Sequence, residues 1–569
     1  MLWCVGFLSA CTGSDVSGDD DDTDTGEEVD TDDDPASSEG DDSSTTEDTG
    51  DDTDTGTEAV ESDFDDIGDI DALPWPETVT SLPDCVPYDG GFETPDTAAA
   101  EGRVRMSPSA TLQPVGVDER LEIKVYYEDI DERDPYADGA LSIESAPEVD
   151  VVEVSDVSSG RSEALIRFRE PGRHLLTGVF TGEDGETGTG TVEVMAYAPQ
   201  LPIWEMAIDP SDLEEIVDDP YERIKVPAVL TVDGTAYETE VRLHGGSSRG
   251  YPKKSFRFDL GPDLTLEDTH DHIILRAEWN DKAMLRNFLG LEVFRNATWI
   301  PASEAEIVHF RINNRYYGAM WHVERIGGDF LRLRGLNNTT ASMYEADPPS
   351  SCWTPGGDLT PVDDLATYQC IYDHKQGDIL YDDLIDLIEN TLQLSDDAFE
   401  DTINQVLDVN EYLLYMATMA VIQNHDHIKK NYFLYRDPGV EDDRWVVFPW
   451  DMELTFGHLW SEENDVLEEA IYTDEPLDFG ICPGFCNQLM TRLYNVPAYQ
   501  VRFLQFVYHI LETTFTEAFI DERIDNVLCR ATPDLVADPL KRASVSEYLD
   551  RVDEIRTFVD ERRAYIQEE

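Results

Sequence analysis

Residues Val421–Gly457 read VIQNHDHIKKNYFLYRDPGVEDDRWVVFPWDMELTFG. Asp426 is followed five positions later by Asn431, and a hydrophobic run from Tyr432 to Tyr435 predicts a strand. Asp437-Pro438-Gly439 predicts a turn, and Trp445 to Phe448 predicts a returning strand that ends on Trp450-Asp451. The stretch is a hairpin with acids at its mouth. Antiparallel pairing brings Asn431 and Asp451 to the same end of the ribbon.

Phosphoryl transfer asks little covalent chemistry of a protein. It needs a carboxylate to orient the attacking hydroxyl, an amide oxygen to hold a metal, and a second carboxylate to hold the same metal on the phosphates. Asp-x-x-x-x-Asn is the spacing of the protein-kinase catalytic loop, and Asp451 follows the returning strand where the metal-binding acid belongs. The alternative reading is an ordinary solvated hairpin mouth. His425 and His427 flank Asp426 and invite a metal reading. On a strand, however, both histidines point to one face and Asp426 to the other, and no second His cluster completes a zinc shell.

The start of the chain sets the expected compartment. Leu2 to Ala10 is a short apolar run, and Leu8-Ser9-Ala10-Cys11 resembles a bacterial lipobox cleaved and lipidated at Cys11. Residues 12–100 read as an acidic disordered tether: no Lys or Arg occurs between Cys11 and Gly102, and Asp, Glu, Ser, Thr and Gly dominate to about Ile70. Such a composition buries too little apolar surface to fold and repels itself. The expected location is therefore the bacterial cell envelope, with a lipid anchor in the membrane. Thr12 follows the cysteine, which favours the outer membrane or cell surface. A formal net charge of −83 excludes sequence-general binding of nucleic acid, which requires a basic footprint.

Cysteines Cys85, Cys352, Cys370, Cys482, Cys486 and Cys529 are disulfide candidates in an exported protein, with Cys352 to Cys370 the simplest local pair. Cys482-Pro-Gly-Phe-Cys486 has the look of a metal knuckle, but no second Cys or His pair completes it.

From residue 101 to 199 the pattern becomes short alternating runs, LEIKVYYED, VDVVEVSDV, EALIRFREPG, RHLLTGVFTG and GTVEVMAYA, spaced by Gly, Asp and Pro turns. This predicts a small Ig-like antiparallel β-sandwich with no catalytic cluster. Ala198-Pro-Gln-Leu-Pro202 is a linker, and residues 200–569 read as one mixed α/β (α+β) domain. Ser211-Asp-Leu-Glu-Glu-Ile predicts a short capped helix, followed by strands VPAVLTVDG, YETEVRLHGG and KKSFRFDL. Between the last two runs, Gly245-Gly-Ser-Ser-Arg-Gly250 forms a small loop ahead of Lys253 and Lys254. Its backbone N–H groups can lie on phosphates with a strand lysine reaching their oxygens; the plain alternative is a hairpin loop with a solvated lysine pair.

The strings VRLHGGSSRGYPKKSFRFDL, AEWNDKAMLRNFLG, RYYGAMWHVERIGGDFLRLRG, NHDHIKKNYFLYRD and FPWDMELTFG occur in this order and resemble the blocks of the spore-coat protein H (CotH) kinase family. The resemblance covers roughly Leu201 to Gly457. It implies an atypical protein kinase-like catalytic domain that uses ATP and Mg²⁺ or Mn²⁺ to phosphorylate Ser or Thr side chains of a protein acceptor. Asp426 would be the catalytic Asp, Asn431 and Asp451 metal ligands, and Lys254 a phosphate-contacting lysine. Arg242 and Ser247 would help cradle phosphate, with Lys253 beside them. Where the family commonly has Trp-Asp-x-Asp, this chain has Glu453, a longer carboxylate in the metal set; His244 interrupts a position that is often Arg-Gly.

Asn280 or Asp281 predicts a cap for an amphipathic helix through Arg295. Arg286 on that helix either pairs with a site carboxylate or covers an acidic surface. Glu324, after the YYGAMWHV strand, either pairs with the phosphate lysine or is a solvated end residue. The segments beyond Gly457 read as supporting helices, with Phe503, Phe506 and Tyr508 as core. The competing function class is a non-catalytic surface adhesin or structural protein that retains the fold.

Overall fold

Alternating apolar residues with a period of two need a partner layer for their buried face, and the N-terminal runs find it in each other. The computed structural model describes residues 68–88, 104–108, 110–125, 139–155, 161–182, 185, 187–260, 270–354, 356–377, 380–424, 426–458 and 487–568. The lipobox with Cys11, the acidic run up to residue 67, His425, Cys482 and Cys486 lie outside them. Strands β1 (Val104–Pro108), β2 (Leu112–Pro114), β3 (Asp118–Val125), β4 (Gly139–Ala146), β5 (Asp150–Val154), β6 (Arg161–Arg167), β7 (Gly172–Gly182) and β8 (Thr187–Tyr197) form two sheets, β1-β3-β6-β5 and β2-β8-β7-β4. Leu121, Ile123, Ile166, Leu176, Phe180, Val192 and Val194 fill the space between them. Strands β1, β2 and β4 escape the sequence pattern. In β4 the inward Leu141 and Ile143 are only partly buried, so the alternation is faint.

The second layer of organisation is a closed barrel in the order β10-β11-β12-β13-β15-β14-β9. Its strands are β9 (Ile203–Ile208), β10 (Val226–Val232), β11 (Thr235–Leu243), β12 (Phe256–Leu260), β13 (His272–Arg276), β14 (Ala305–Ile312) and β15 (Arg315–Val323). Parallel pairing of β9 with β14 closes the ring, and closure leaves no exposed edge. Trp204, Met206, Leu230, Phe256, Phe258, Leu275, Phe310 and Met320 pack the interior. The helix α1 (Pro210–Asp218) is capped by Asp209, which accepts from the Ser211 N–H; Ser211 itself is inside the helix.

Beyond the barrel, the sheet β17-β16-β18-β19 is made from β16 (Ser342–Ala346), β17 (Tyr372–Gln376), β18 (Tyr432–Arg436) and β19 (Val446–Pro449). The helix Val409–Val421 is buried along almost its whole length and runs straight into the Asp426 loop. Helices Gln488–Tyr494, Pro497–Thr513, Glu517–Ala537 and Val545–Glu568 surround it in the largest apolar core. Phe503 and Phe506 are fully buried, but Tyr508 is 46% exposed and lies outside the core that the sequence reading gave it. No helix among the described residues is long and apolar enough to cross a membrane.

Residues 68–88 correct the extent of the tether. Rather than continuing it, they form a strap on the helical body: Trp75 stacks on His509 and meets Trp299 edge-on, while Thr80 Oγ1 donates to Glu292 at 3.0 Å. Cys85 is bonded to Cys529, and Cys352 to Cys370. The apolar residues Ile70, Leu73 and Trp75 pack against the helical core, and the composition of the acidic run before them is poor in such residues.

Candidate active site

The hairpin register pairs Tyr432 with Pro449, so Asn431 and Trp450 meet at one end and the Trp450 N–H donates to the Asn431 carbonyl at 3.2 Å. Both flanking residues are forced into left-handed backbone, Asn431 at φ 63° and Asp451 at φ 55°. Asn and Asp tolerate that region better than most side chains, and such conformations gather at functional sites. The Asp426 segment is not a strand, so the strand argument about its flanking histidines does not apply; it is a bent loop tied by Asn424 Oδ1, which accepts from the Asp426 N–H at 2.8 Å. His427 is buried, with Nδ1 2.6 Å from the Asn424 carbonyl, and belongs to the loop's framework.

Asp426 Oδ2 accepts from Asn431 Nδ2 and pairs with Lys430 Nζ, each at 2.8 Å. Oδ1 carries no hydrogen bond among the described residues. Burial pushes the Asp426 carboxyl up from its ordinary value, Lys430 pulls it back, and the nearby Asp451 charge adds to the rise. A proton acceptor is most effective with a pKa brought toward the working pH.

Opposite this loop, Arg276 at the end of β13 gathers the remaining acids. Its Nη2 lies 2.8 Å from Asp451 Oδ1 and 3.4 Å from Glu453 Oε2, and its Nε lies 2.9 Å from Glu278 Oε1. Burial alone would favour a neutral Arg276, but Asp451, Glu278 and Glu453 hold it firmly protonated. Asp451 experiences burial in the opposite sense to Arg276 and Lys430, and the two cations keep it ionised, below its ordinary value. Glu453 is pushed well up by burial and by Asp451. Glu278 also rises with burial, and its Oε2 is buried without a hydrogen bond. Asp426, Asp451, Glu453 and Glu278 thus share Arg276 and Lys430, four carboxyl groups to two cations. Asn287 completes the frame by donating to Glu278 at 2.9 Å and accepting from the Met452 N–H at 2.9 Å.

Arg276, Lys430 and Glu278 were missed in the sequence. Lys430 stands inside the quoted loop, between the residues chosen. Arg276 and Glu278 sit two apart around the end of a strand, a spacing that places side chains on one face.

The glycine-rich loop flanks this cluster. Gly245 has φ 102°, and a Cβ there would run into the Ser248 side chain, so the turn into Ser247–Gly250 needs glycine. Ser247 is exposed on it. Lys254 is 8% exposed, and its Nζ donates to the Arg249 carbonyl at 2.7 Å; burial lowers its pKa. Arg242 donates to the Leu243 carbonyl at 3.0 Å. Burial and the neighbouring Arg257 lower Arg242 to about 10. Arg242 and Lys254 have no salt bridge among the described residues, although acids outnumber bases 123 to 40 in this chain. His244 lies between the two halves of the site. Burial first, then Arg276 and Arg242, bring it to about 3, so its imidazole is neutral.

Three expected site residues are engaged elsewhere. Lys253 Nζ sits 2.6 Å from Asp538 Oδ2 and donates to the Ala319 carbonyl at 2.6 Å, joining the barrel to the end of helix Glu517–Ala537. Arg286 Nη1 pairs with Asp281 at 2.5 Å. Asp281 also accepts the Leu285 and Arg286 N–H groups at 2.9 Å, so it caps the helix Arg286–Ala297 from upstream; that helix begins later than the spacing predicts. Glu324 pairs with Arg334 at 2.7 Å rather than with Lys254. Each alternative buries a charge with one dedicated partner, which satisfies it without any ligand.

A family model described as CotH kinase protein matches residues 241–566, a span that contains every member of the acid cluster and the glycine-rich loop. The chain belongs to the CotH kinase protein family. Inner spore coat protein H of Bacillus subtilis (strain 168) is 24% identical over 378 residues, covering 66% of this chain and 99% of that protein. Among solved structures, the ZirS C-terminal domain is 13% identical, covers 22% of this chain and 89% of its own, and has a TM-score of 0.14. The fibronectin(III)-like modules of Clostridium thermocellum CbhA are 11% identical, cover 30% and 83%, and have a TM-score of 0.13. At those scores neither structure carries an argument. For the CotH domain, membership supports a kinase-like role and leaves its acceptor open.

No three His, Cys, Asp or Glu side chains among the described residues come together as a metal shell. The donor set nonetheless fits a hard cation. Among the described residues Asn431 Oδ1, Asp451 Oδ2 and Glu453 Oε1 carry no hydrogen bond, oxygen ligands suit Mg²⁺ or Mn²⁺, and a divalent ion would favour the ionised form of a Glu453 that burial and Asp451 push toward its neutral form.

Proposed function

We propose that this chain is a metal-dependent protein kinase that transfers the γ-phosphoryl group of ATP to Ser or Thr hydroxyls of secreted or surface proteins. The observation that carries the reading is Asp426: a partly buried carboxylate with Oδ2 fixed by Asn431 and Lys430 and Oδ1 without a hydrogen bond among the described residues, beside a cluster with more acids than cations. Oδ1 would accept the proton of the attacking hydroxyl while the fixed Oδ2 sets its direction. Asn431, Asp451 and Glu453 would hold Mg²⁺ or Mn²⁺, which when bound neutralises phosphate charge. Lys254, Arg242 and the Gly245–Gly250 backbone would receive the phosphates, since the two cations lack carboxylate partners and the loop offers N–H groups. His244, held neutral, would leave that cradle its positive charge without adding a titrating group. A lipid anchor at Cys11 would keep the enzyme at the cell envelope.

The test is phosphate incorporation from labelled ATP with Mg²⁺ or Mn²⁺ into a Ser-rich acceptor by the full chain, beside Asp426→Ala and Asp451→Ala. Incorporation that both substitutions abolish is the expected result. A second reading, a non-catalytic surface protein, is favoured by one observation: Arg276 and Lys430 already occupy the acids. Neither transfer nor thermal stabilisation by ATP and Mg²⁺ would put that reading in first place.

A further inference from the structure

The loop from Asp426 to Asn431 carries adjacent lysines that face different ways. Lys429 turns toward Asp358, with Nζ 3.7 Å from Oδ2, and its stem packs on Gly356. Lys430 turns into the site, 2.8 Å from Asp426 Oδ2, and Asp426, Asp451 and Glu453 together keep it protonated against burial. Arg276 differs from it in kind: it is clamped by Glu278, Asp451 and Glu453 at once. Lys430 has a single ion pair among the described residues, on a flexible stem that ends in a compact charge, so it can exchange one anion for another. A γ-phosphoryl group arriving between the proton acceptor Asp426 and the ligands Asn431 and Asp451 would enter the space this ammonium faces.

Building on the reading of this site as a nucleotide site, we propose that Lys430 is a catalytic residue: its ammonium passes from Asp426 to the γ-phosphoryl group of the bound nucleoside triphosphate. The exchange neutralises phosphoryl oxygens and frees Asp426 for the acceptor. The acceptor oxygen then bonds to the γ-phosphorus as the bond from that phosphorus to the β–γ bridging oxygen breaks. The diphosphate leaves with the electron pair, the hydroxyl proton passes to Asp426, and Lys430 keeps its own proton throughout.

A lysine that touches the γ-phosphoryl group distinguishes triphosphate from diphosphate, whereas one that only balances Asp426 does not. The experiment measures the affinity of the full chain for ADP and for the β,γ-imido analogue of ATP, each with Mg²⁺, in the native protein, Lys430→Met and Lys430→Arg. Charge-assisted hydrogen bonds of this kind predict that Lys430→Met weakens the analogue by about tenfold to a hundredfold and leaves ADP unchanged, with partial rescue by Lys430→Arg. The unchanged ADP affinity also reports that the variant is folded. Equal loss for both nucleotides, or no loss for either, overturns the role of Lys430 while the nucleotide site stands. If the native protein binds neither nucleotide, the kinase reading and this proposal fall together.

Discussion

Two buried ionic systems border one cavity, lined by Lys253 and Asp538 from the one and Glu278 from the other, and they are built on different rules. At the seam with helix Glu517–Ala537, Lys253 pairs with Asp538, His309 Nδ1 lies 2.5 Å from Asp534 Oδ1, and Tyr197 Oη donates to that same oxygen at 3.1 Å. Asp538 also abuts Gly318, where a Cβ would collide with its carboxylate. Here Lys253 and Asp538 match charge for charge, burial lowers the His309 pKa so that its ring serves Asp534 as a hydrogen-bonding group, and these contacts join sandwich, barrel and helix. At the hairpin mouth, Asp426, Asp451, Glu453 and Glu278 compete for Arg276 and Lys430, and burial pushes several of them up. Matched charges serve architecture. Unmatched ones persist where a ligand is meant to complete the balance, because burying excess charge otherwise costs stability.

Substitutions can break this contrast. The largest effect is expected from Asp451→Asn, which should reduce phosphoryl transfer about a thousandfold with at most a small fall in melting temperature, since the lost ion pair with Arg276 is offset by relief of repulsion at Glu453. A fall in Tm matching the fall in rate would make the mouth another structural cluster. Asp538→Ala should do the reverse. It strands Lys253 in the interior and is expected to cost about 3–5 kcal/mol in urea unfolding, with nucleotide affinity retained in the folded fraction. Lys254→Ala sharpens the boundary between the two systems: about a tenfold weaker nucleotide affinity at nearly constant Tm assigns this lysine to the mouth, and a large loss of stability assigns it to the seam.

The smallest effect concerns Glu411, buried on the helix Val409–Val421 and raised well above its ordinary 4.5 by burial and by Asp408. A carboxyl raised in the fold binds its proton more tightly there than in the unfolded chain. Its contribution is therefore present at low pH and declines as pH climbs above 4.5 toward the folded value. Glu411→Gln should show a Tm gain over the native chain that widens between pH 4.5 and pH 8. A difference constant with pH would mean that Glu411 is ionised in the fold.

Much of the site was legible because its chemistry lies in short local spacings. Asp426, Asn431 and Asp451 sit on one hairpin, and the antiparallel register that joins them follows from strand, turn and strand. Arg276 was not legible: its role depends on the end of β13 meeting a hairpin that begins well over a hundred residues later. Lys253, Arg286 and Glu324 failed in the opposite way. Each carries a suitable charge near a motif, but its partner, Asp538, Asp281 or Arg334, is set by packing and not by proximity to the motif.

The fold divides along the same line. The sandwich strands with strong alternation and the hairpin are written in the sequence, because a period of two and a Pro-Gly turn act over a few residues. Barrel closure by the parallel pairing of β9 with β14, the strap with its Cys85–Cys529 link, and the exposure of Tyr508 were decided by tertiary structure. Local periodicity states which face of an element is apolar. Which distant element covers that face, and which buried charge it brings, depends on the three-dimensional packing of the whole chain.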